Sequence, residues 1–235
     1  MFNAFTTDKI ERGRSSLENT GTRLEQEMLG EVNGRKYKEL AYSFLHRDEM
    51  AQPGESKDKQ FERILKMREA AQREFENALD LADRDKYIDF RNSVKLVEQA
   101  QAGDPEHPRQ FFAQELHHYL TEKFSEKYFL KFFTATGGTH LDVVHGVDGF
   151  FKLYDQETRS ELAMATIDLT RNDMKDKARA NVLIRLSKDE IGKMDPSKEN
   201  EMFDKETLNN NVIFFGDLIA NALIDDYKRR NGIEN

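Results

Sequence analysis

Apolar residues recur every three or four positions in several stretches of the chain, which is the spacing of one face of a helix. The stretch after the Pro53-Gly54 turn and the one that ends at Gly103-Asp104-Pro105 predict two helices, which we expect to form an antiparallel hairpin. Two more helices are predicted over residues 109–126 and 204–230. The apolar positions that carry these predictions are Phe61, Ile64, Leu65, Ala71, Phe75, Tyr87, Phe90, Val94, Val97, Phe112, Leu116, Leu120, Leu208, Val212, Phe215 and Ile219.

The middle of the chain has a different pattern that predicts strands. Residues 128–133 are too aromatic for a surface helix and favour a strand. Residues 143–154 and 161–170 follow as two further strands, joined by a short polar turn. Because short turns connect these strands, an antiparallel meander is the simplest topology. Residues 179–187 supply a candidate fourth strand.

Together these elements predict an α+β protein with a helical N-terminal arm, a small and mostly antiparallel sheet, and a long C-terminal helix packed across it. The character of the sequence changes at His107-Pro108. We therefore divide the chain into a helical N-terminal region (residues 1–106) and an α/β domain (residues 107–235). Residues 1–50 are polar and predict about two short helices with a break at Gly30. We expect the helical arm to serve in packing, in homo-oligomerisation or in binding a protein partner.

Composition and charge narrow the class of protein. Cysteine is absent, which excludes disulfides and thiolate metal sites and predicts a reducing, cytoplasmic location. No apolar run approaches the roughly 18 residues of a membrane helix, so we expect no membrane partner. The net charge of −8 argues against non-specific coating of nucleic acid. One stretch is an exception, because residues 171–185 carry five basic side chains against two acidic ones.

Asp148 and Asp168 are the positions best suited to carry chemistry. Asp168 lies between Ile167 and Leu169 in a predicted strand, where aspartate is disfavoured and its desolvation must be offset. A hairpin that turns near residues 155–160 pairs positions whose numbers sum to about 316, so Asp148 falls opposite Asp168. Two adjacent carboxylates repel unless a proton or a metal ion lies between them. Such oxygen ligands suit Mg²⁺ or Mn²⁺, which can activate water for attack on a phosphodiester.

The stretch from Gln110 to about Ser187 resembles the core of the PD-(D/E)xK nuclease superfamily. That restriction-endonuclease-like core has a helix that often bears a glutamate, followed by three antiparallel strands. Its second strand carries an aspartate, and its third carries an acidic residue two positions before a lysine. The resemblance implies that Glu115, Asp148 and Asp168 are catalytic residues and ligands of the metal ion.

The sequence departs from this pattern at the lysine position, which is Thr170. Threonine cannot supply a cation to polarise the attacking water or to steady the phosphate. Some members of the superfamily place the lysine elsewhere in the site. Lys175 and Lys177, just past the strand, are the available substitutes, and Lys152 is a third. The resemblance also implies a helix between the third and fourth strands, for which only residues 171–178 are available.

Two hypotheses of function follow from the sequence. The first is a Mg²⁺- or Mn²⁺-dependent phosphodiesterase that cleaves DNA or RNA, in which the basic segment 171–185 contacts the phosphates. The second is a non-enzymatic structural or protein-interaction component, in which the helical arm acts and the sheet is a degenerate nuclease-like scaffold. The missing motif lysine favours the second. High charge without cysteine or tryptophan fits a phage-encoded protein, which would place it in the host cytoplasm.

A competing metal site involves the spacing of His140, Asp142, His145 and Asp148. Histidine and aspartate are competent ligands for Zn²⁺ or Fe²⁺. On a single strand, however, His140 and Asp142 face one way while His145 faces the other. The four side chains can converge only where the segment bends, so this alternative predicts a bulge.

Overall fold

The computed structural model confirms the α+β class, with one sheet and helices before and after it. It describes residues 23–47, 56–76, 84–172, 175, 178–196 and 203–233. In chain order the described elements are α1 (residues 23–29), α2 (Gly34–Leu45), α3 (Lys57–Glu74), a 3-10 turn (Arg84–Lys86), α4 (Phe90–Gln99), α5 (Phe111–Lys123), β1 (Tyr128–Thr134), α6 (His140–Val143), β2 (Gly149–Asp155), β3 (Glu161–Thr170), β4 (Val182–Arg185), α7 (Lys188–Met194) and α8 (Lys205–Arg230).

The four strands form one mixed sheet in the order β1-β2-β3-β4. The first three strands are antiparallel neighbours, as predicted. Only the connection between β2 and β3 is a short turn, whereas residues 135–148 between β1 and β2 include α6. β4 lies parallel to β3, because the connection over residues 171–181 is long enough to bring the chain back to the same end of the sheet. The pairing of β2 with β3 has the expected register from Gly149–Ile167 onward, until a bulge after Leu153 shifts it by one residue.

The sheet separates two hydrophobic clusters because successive strand residues point to opposite faces. Phe151 and Ile167 pack on one face against α5 and α8, together with Leu24 of α1. Phe150 packs on the other face with residues of α2, α4 and α6, including Tyr37. Helices from before residue 106 therefore contribute to both clusters, and the division into two regions stays a prediction.

The prediction that α3 and α4 form an antiparallel hairpin is wrong, because α3 packs against a different helix. α3 packs against α2, whereas α4 buries Val94 and Val97 near β1 and α6. The apolar stripe of α3 is divided accordingly, because Phe75 is buried in the core whereas Phe61 is 62% exposed. Phe75 is thus a core residue and cannot contact a partner protein.

The C-terminal helix α8 lies across α5 and β3, as predicted. Gly216 permits the close approach to α5, since a Cβ at this position would overlap the ring of Tyr119. The hydroxyl of Tyr119 donates to Asp217 at 2.5 Å, and the backbone N–H of Met164 donates to the buried carboxylate of Asp226 at 2.8 Å. These contacts fix α8 on the sheet. Among the described helices, none is both long and apolar enough to cross a lipid bilayer.

Candidate metal centre

Three carboxylates from separate elements meet at one end of the sheet. Glu25 comes from α1, Asp142 from α6, and Asp148 directly precedes β2. One carboxylate oxygen of each residue lies within 4.8 Å of the corresponding oxygen of the other two. The group is sheltered, since Asp148 is buried and the other two are partly buried.

Asp148 is fixed by the sheet through its backbone and its side chain. Its N–H donates to the carbonyl of Ile167 at 2.9 Å, and its own carbonyl accepts from the N–H of Ala135 at 2.7 Å. Its Oδ2 accepts from the N–H of Leu169 at 2.7 Å. Glycine follows at position 149 because a Cβ there would press on the ring of Phe132. Asp148 therefore presents its carboxylate in a fixed position.

Asp142 and Glu25 are held by shorter elements beside the sheet. The hydroxyl of Thr139 accepts from the N–H of Asp142 at 3.2 Å, so that a threonine cap sets the first turn of α6. The N–H of Gly138 donates to Asp142 Oδ2 at 3.4 Å. Glu25 lies on α1, which is anchored at its C-terminal end because the hydroxyls of Thr134 and Thr136 both donate to the carbonyl of Gly30.

A fourth carboxylate and a lysine lie beside this group. The ammonium of Lys175 bonds both oxygens of the buried Asp168, at 2.8 Å and 2.6 Å. Arg185 of β4 donates to the backbone carbonyl of Lys175 at 2.5 Å. Thr170 follows Asp168 on the same strand face, but its hydroxyl accepts from the N–H of Asn172. The cation beside Asp168 in the structure is thus the ammonium of Lys175, and residue 170 is uncharged.

The electrostatics of the group disfavour full ionisation without a cation. Burial, followed by the charges of Asp142 and Asp168, raises the pKa of Glu25 from 4.5 to about 7, against an opposing effect of Lys175. Burial is also the largest cause that raises the pKa of Asp142 from 3.8 to about 6, with Asp168 adding to it. Burial and then the charge of Glu25 hold the pKa of Asp148 well above its usual range. A bound cation would favour the ionised form of all these groups.

We expect the stability of the metal-free protein to fall as the pH rises from about 4 to 7, because carboxyls with raised pKa values stabilise the fold only while they are protonated. At about pH 7.5, Mn²⁺ at 100 times its Kd should raise the melting temperature by roughly 5–10 °C. The same concentration of Mn²⁺ should raise it much less at about pH 5, where protons compete for the ligands. Thermal unfolding with EDTA or Mn²⁺ at both pH values measures this. A shift of equal size at both pH values would contradict a carboxylate site.

The structure brings Asp148, Asp168 and Lys175 to one place, but it separates Glu115 from them. Glu115 is exposed on α5 and does not belong to the carboxylate group, in which the glutamate beside Asp148 and Asp142 is Glu25. Lys177 lies outside the described residues. Its role stays a prediction.

Lys152 is engaged elsewhere and cannot be the missing lysine of this group. It shares a strand face with Asp148, but its buried ammonium forms ion pairs with Glu98 and with Glu161, the latter at 2.5 Å. Arg230 of α8 also pairs with Glu161, at 2.9 Å. These charges link α4, β2, β3 and α8 as a structural network.

The competing site with two histidines is not formed. The segment from His140 to Val143 is a short helix rather than a strand, and β2 begins only at Gly149. His140 Nδ1 contacts the hydroxyl of Tyr37 at 2.9 Å, and its Nε2 contacts the carbonyl of Lys86 at 2.7 Å. His145 Nε2 contacts the carbonyl of Ile88 at 2.9 Å. These bonds occupy both ring nitrogens of His140 and one of His145, so only the aspartates of this alternative reach the centre.

Sequence reasoning missed Glu25 and placed Asp142 only in the competing site. One signal for Glu25 is local, because Leu24 and Met28 are one helical turn apart and both are buried. That spacing predicts a short amphipathic helix whose neighbouring position, Glu25, lies at the edge of its apolar face. Nothing local indicates which part of the sheet this helix contacts.

The arrangement is chemically suited to bind a hard divalent cation next to an ammonium group. Carboxylate oxygens are the ligands that Mg²⁺ and Mn²⁺ prefer. Opposite ligands of Mg²⁺ lie about 4.2 Å apart, twice the metal–oxygen distance, so oxygens within 4.8 Å of one another need only small side-chain rotations. Comparisons of the chain with protein-family models, curated proteins and solved structures found no match.

Proposed function

We propose that this protein is a Mg²⁺- or Mn²⁺-dependent phosphodiesterase that cleaves nucleic acid. One observation carries the proposal: the carboxylates of Glu25, Asp142 and Asp148 converge beside the Asp168–Lys175 pair at one end of the sheet. Divalent cations held by proteins are a recurring means of phosphodiester cleavage, and a neighbouring ammonium can stabilise charge that develops on the phosphate. This donor set holds no histidine or thiolate, so it fits these cations better than Zn²⁺.

Each side chain has a distinct role in this proposal. Glu25, Asp142 and Asp148 would hold the cation, with Asp148 as the fixed ligand and the other two closing around it. Bound there, the cation would neutralise charge that develops on the phosphodiester and would make the attacking water more acidic. Asp168 orients the ammonium of Lys175, and Lys175 would contact a phosphate oxygen or polarise the water.

The resemblance to PD-(D/E)xK nucleases supports the proposal in its order of elements. A helix (α5), three antiparallel strands and a fourth strand follow one another, with Asp148 at the start of the second strand and Asp168 in the third. The site differs in two residues. Glu25, from a helix earlier in the chain, replaces the expected helix glutamate, and Lys175 replaces the lysine expected at Thr170. No helix is formed by the described residues between β3 and β4.

Glu25 and Glu115 provide a matched test of the proposal. With Mg²⁺ or Mn²⁺ present, the protein should cleave labelled DNA or RNA, and EDTA should abolish cleavage. We expect Glu25→Gln to lower the rate by about 10- to 100-fold, because one of the three ligands becomes neutral. Glu115→Gln removes the same charge from the exposed face of α5 and should leave the rate unchanged.

The outcomes separate the site proposed here from the one the sequence alone predicts. Loss of activity in Glu115→Gln with full activity in Glu25→Gln would contradict the ligand assignment. If neither DNA nor RNA is cleaved with any of Mg²⁺, Mn²⁺ or Ca²⁺, the proposed function is wrong. Single-stranded and double-stranded substrates of both nucleic acids belong in the assay, since the carboxylate group itself does not select among them.

A further inference from the structure

A second charged site lies in the groove between α2 and α3. It has a volume of about 610 Å³ and is open to solvent. We call it the arginine groove. Its lining consists of Arg35, Arg68, Glu69, Gln72 and Arg73.

Toward the described part of the chain, each of the three arginines of the groove uses only its Nε nitrogen. Arg35 Nε and Arg68 Nε bond the two oxygens of Glu39, at 3.2 Å and 3.3 Å, so Glu39 joins the two helices. Arg73 Nε donates to the carbonyl of Glu69 at 3.4 Å. Among the described residues, the terminal Nη groups of these three arginines have no partner. Each arginine thus keeps a pair of donors in the geometry that binds phosphate oxygens in a bidentate manner.

The helices that form the groove are basic although the chain is acidic. α2 and α3 together carry nine lysines and arginines against five acidic residues, whereas the whole chain has a net charge of −8. Lys57, Lys59 and Lys66 are exposed along α3. An 18-residue helix is about 27 Å long, so the six basic side chains of α3, against four acidic ones, are spread over a length well beyond a single phosphate group. It therefore suits a polyanion better than a mononucleotide.

We propose that the arginine groove and the exposed face of α3 bind the phosphodiester backbone of a nucleic acid. The unused Nη donors would bind phosphate oxygens directly, and the lysines along α3 would contribute charge without fixed geometry. Phe61 is 62% exposed on the same helix and is available to stack on an unpaired base. This binding needs no metal ion and is independent of the cleavage proposed above.

The experiment measures the affinity of the full chain, in EDTA, for a fluorescein-labelled single-stranded oligonucleotide and for the matching duplex. Fluorescence anisotropy over a series of salt concentrations gives the affinity and its salt dependence. We expect the double variant Arg35→Gln/Arg73→Gln to bind at least about tenfold more weakly, with a salt slope about 2 smaller, because two phosphate contacts are lost. The Arg68–Glu39 link between the helices stays intact in this variant.

The matched control removes two positive charges elsewhere. Lys188→Gln/Lys193→Gln on α7 changes the net charge equally at exposed positions and should bind as the wild type does. Glu69→Gln, which removes an acidic side chain from the groove, should tighten binding, a gain that misfolding cannot produce.

Three results would overturn the proposal. One is equal loss of affinity in the two double variants, which would reveal only a general charge effect. Another is unchanged affinity in Arg35→Gln/Arg73→Gln. The third is displacement of the oligonucleotide by polyglutamate as readily as by unlabelled nucleic acid. The Nη donors of the arginines would then not distinguish phosphate from carboxylate, and an acidic protein would be the better partner.

Discussion

Replacement of Asp148 by asparagine is expected to lower the rate of metal-dependent phosphodiester cleavage by about 1000-fold, equivalent to roughly 4 kcal/mol of transition-state stabilisation. Asp148 is the proposed ligand that the sheet holds in place, so its neighbours cannot substitute for it by a side-chain rotation. The measurement is the cleavage rate at saturating Mn²⁺, with Mn²⁺ affinity followed separately by calorimetry.

The same substitution should leave the metal-free fold intact. Burial and the charges of Glu25 and Asp142 already favour the protonated form of Asp148, and asparagine resembles that neutral form. Its amide oxygen can still accept the bond from the N–H of Leu169. The melting temperature in EDTA at neutral pH should therefore be equal to or above that of the wild type. A cleavage rate within tenfold of the wild type would refute the role of Asp148 as a ligand.

The second large effect concerns Lys175. Lys175→Gln should lower the cleavage rate by about 100- to 1000-fold, because the ammonium beside Asp168 is lost while the carboxylate group stays in place. The affinity for Mn²⁺ should change little, since Lys175 is not a ligand. Lys95→Gln, at an exposed position on α4, is the matched control and should have the wild-type rate.

Thr170→Lys in the Lys175→Gln background tests the position of the ammonium. Residues 168 and 170 share one face of β3, so a lysine at 170 can bring its amine towards Asp168 from the strand itself. We expect at least about tenfold recovery of the rate. A wild-type rate in Lys175→Gln alone would show that Lys175 has no part in cleavage. If Thr170→Lys does not restore the rate, the ammonium of Lys175 acts at a place that a lysine at position 170 cannot reach.

The pair of strands that carries the two aspartates could be predicted from sequence because its determinants are local. A strand places alternate residues on opposite faces, and a short turn fixes which residues are opposite each other. The register from Gly149–Ile167 to Leu153–Ala163 follows from these two rules, and it brings Asp148 and Asp168 to the same end of the same face. The C-terminal helix was predictable for the same reason, since a 3.6-residue period depends only on neighbouring positions.

The positions of the other two carboxylates of the group depend on contacts between distant residues. Asp142 reaches the group because residues 140–143 form a helix, and this helix is tied to Tyr37, 103 positions away, through bonds to His140. The strand predicted from the sequence begins at residue 143, and no local pattern indicated a helix over residues 140–143. Glu25 depends on the docking of α1, which no periodic pattern reveals. The parallel direction of β4 could not be predicted from neighbouring residues either, because it depends on the path of the connection from β3.

Glu25 is held less directly than Asp148, because the hydrogen bonds that anchor α1 to the sheet lie at Gly30. Glu25 lies five residues from this anchor, about 7.5 Å along the axis of α1, whereas Asp148 is bonded directly into the strands. A tilt of α1 by about 10° about its anchor would move Glu25 by roughly 1.3 Å, more than the difference of about 0.2–0.6 Å between metal–oxygen distances for Mg²⁺ and Ca²⁺. Asp148 is thus held by the strands themselves, whereas Glu25 depends on the position of one short helix, and a small tilt of that helix would let cations of different radius occupy the same place.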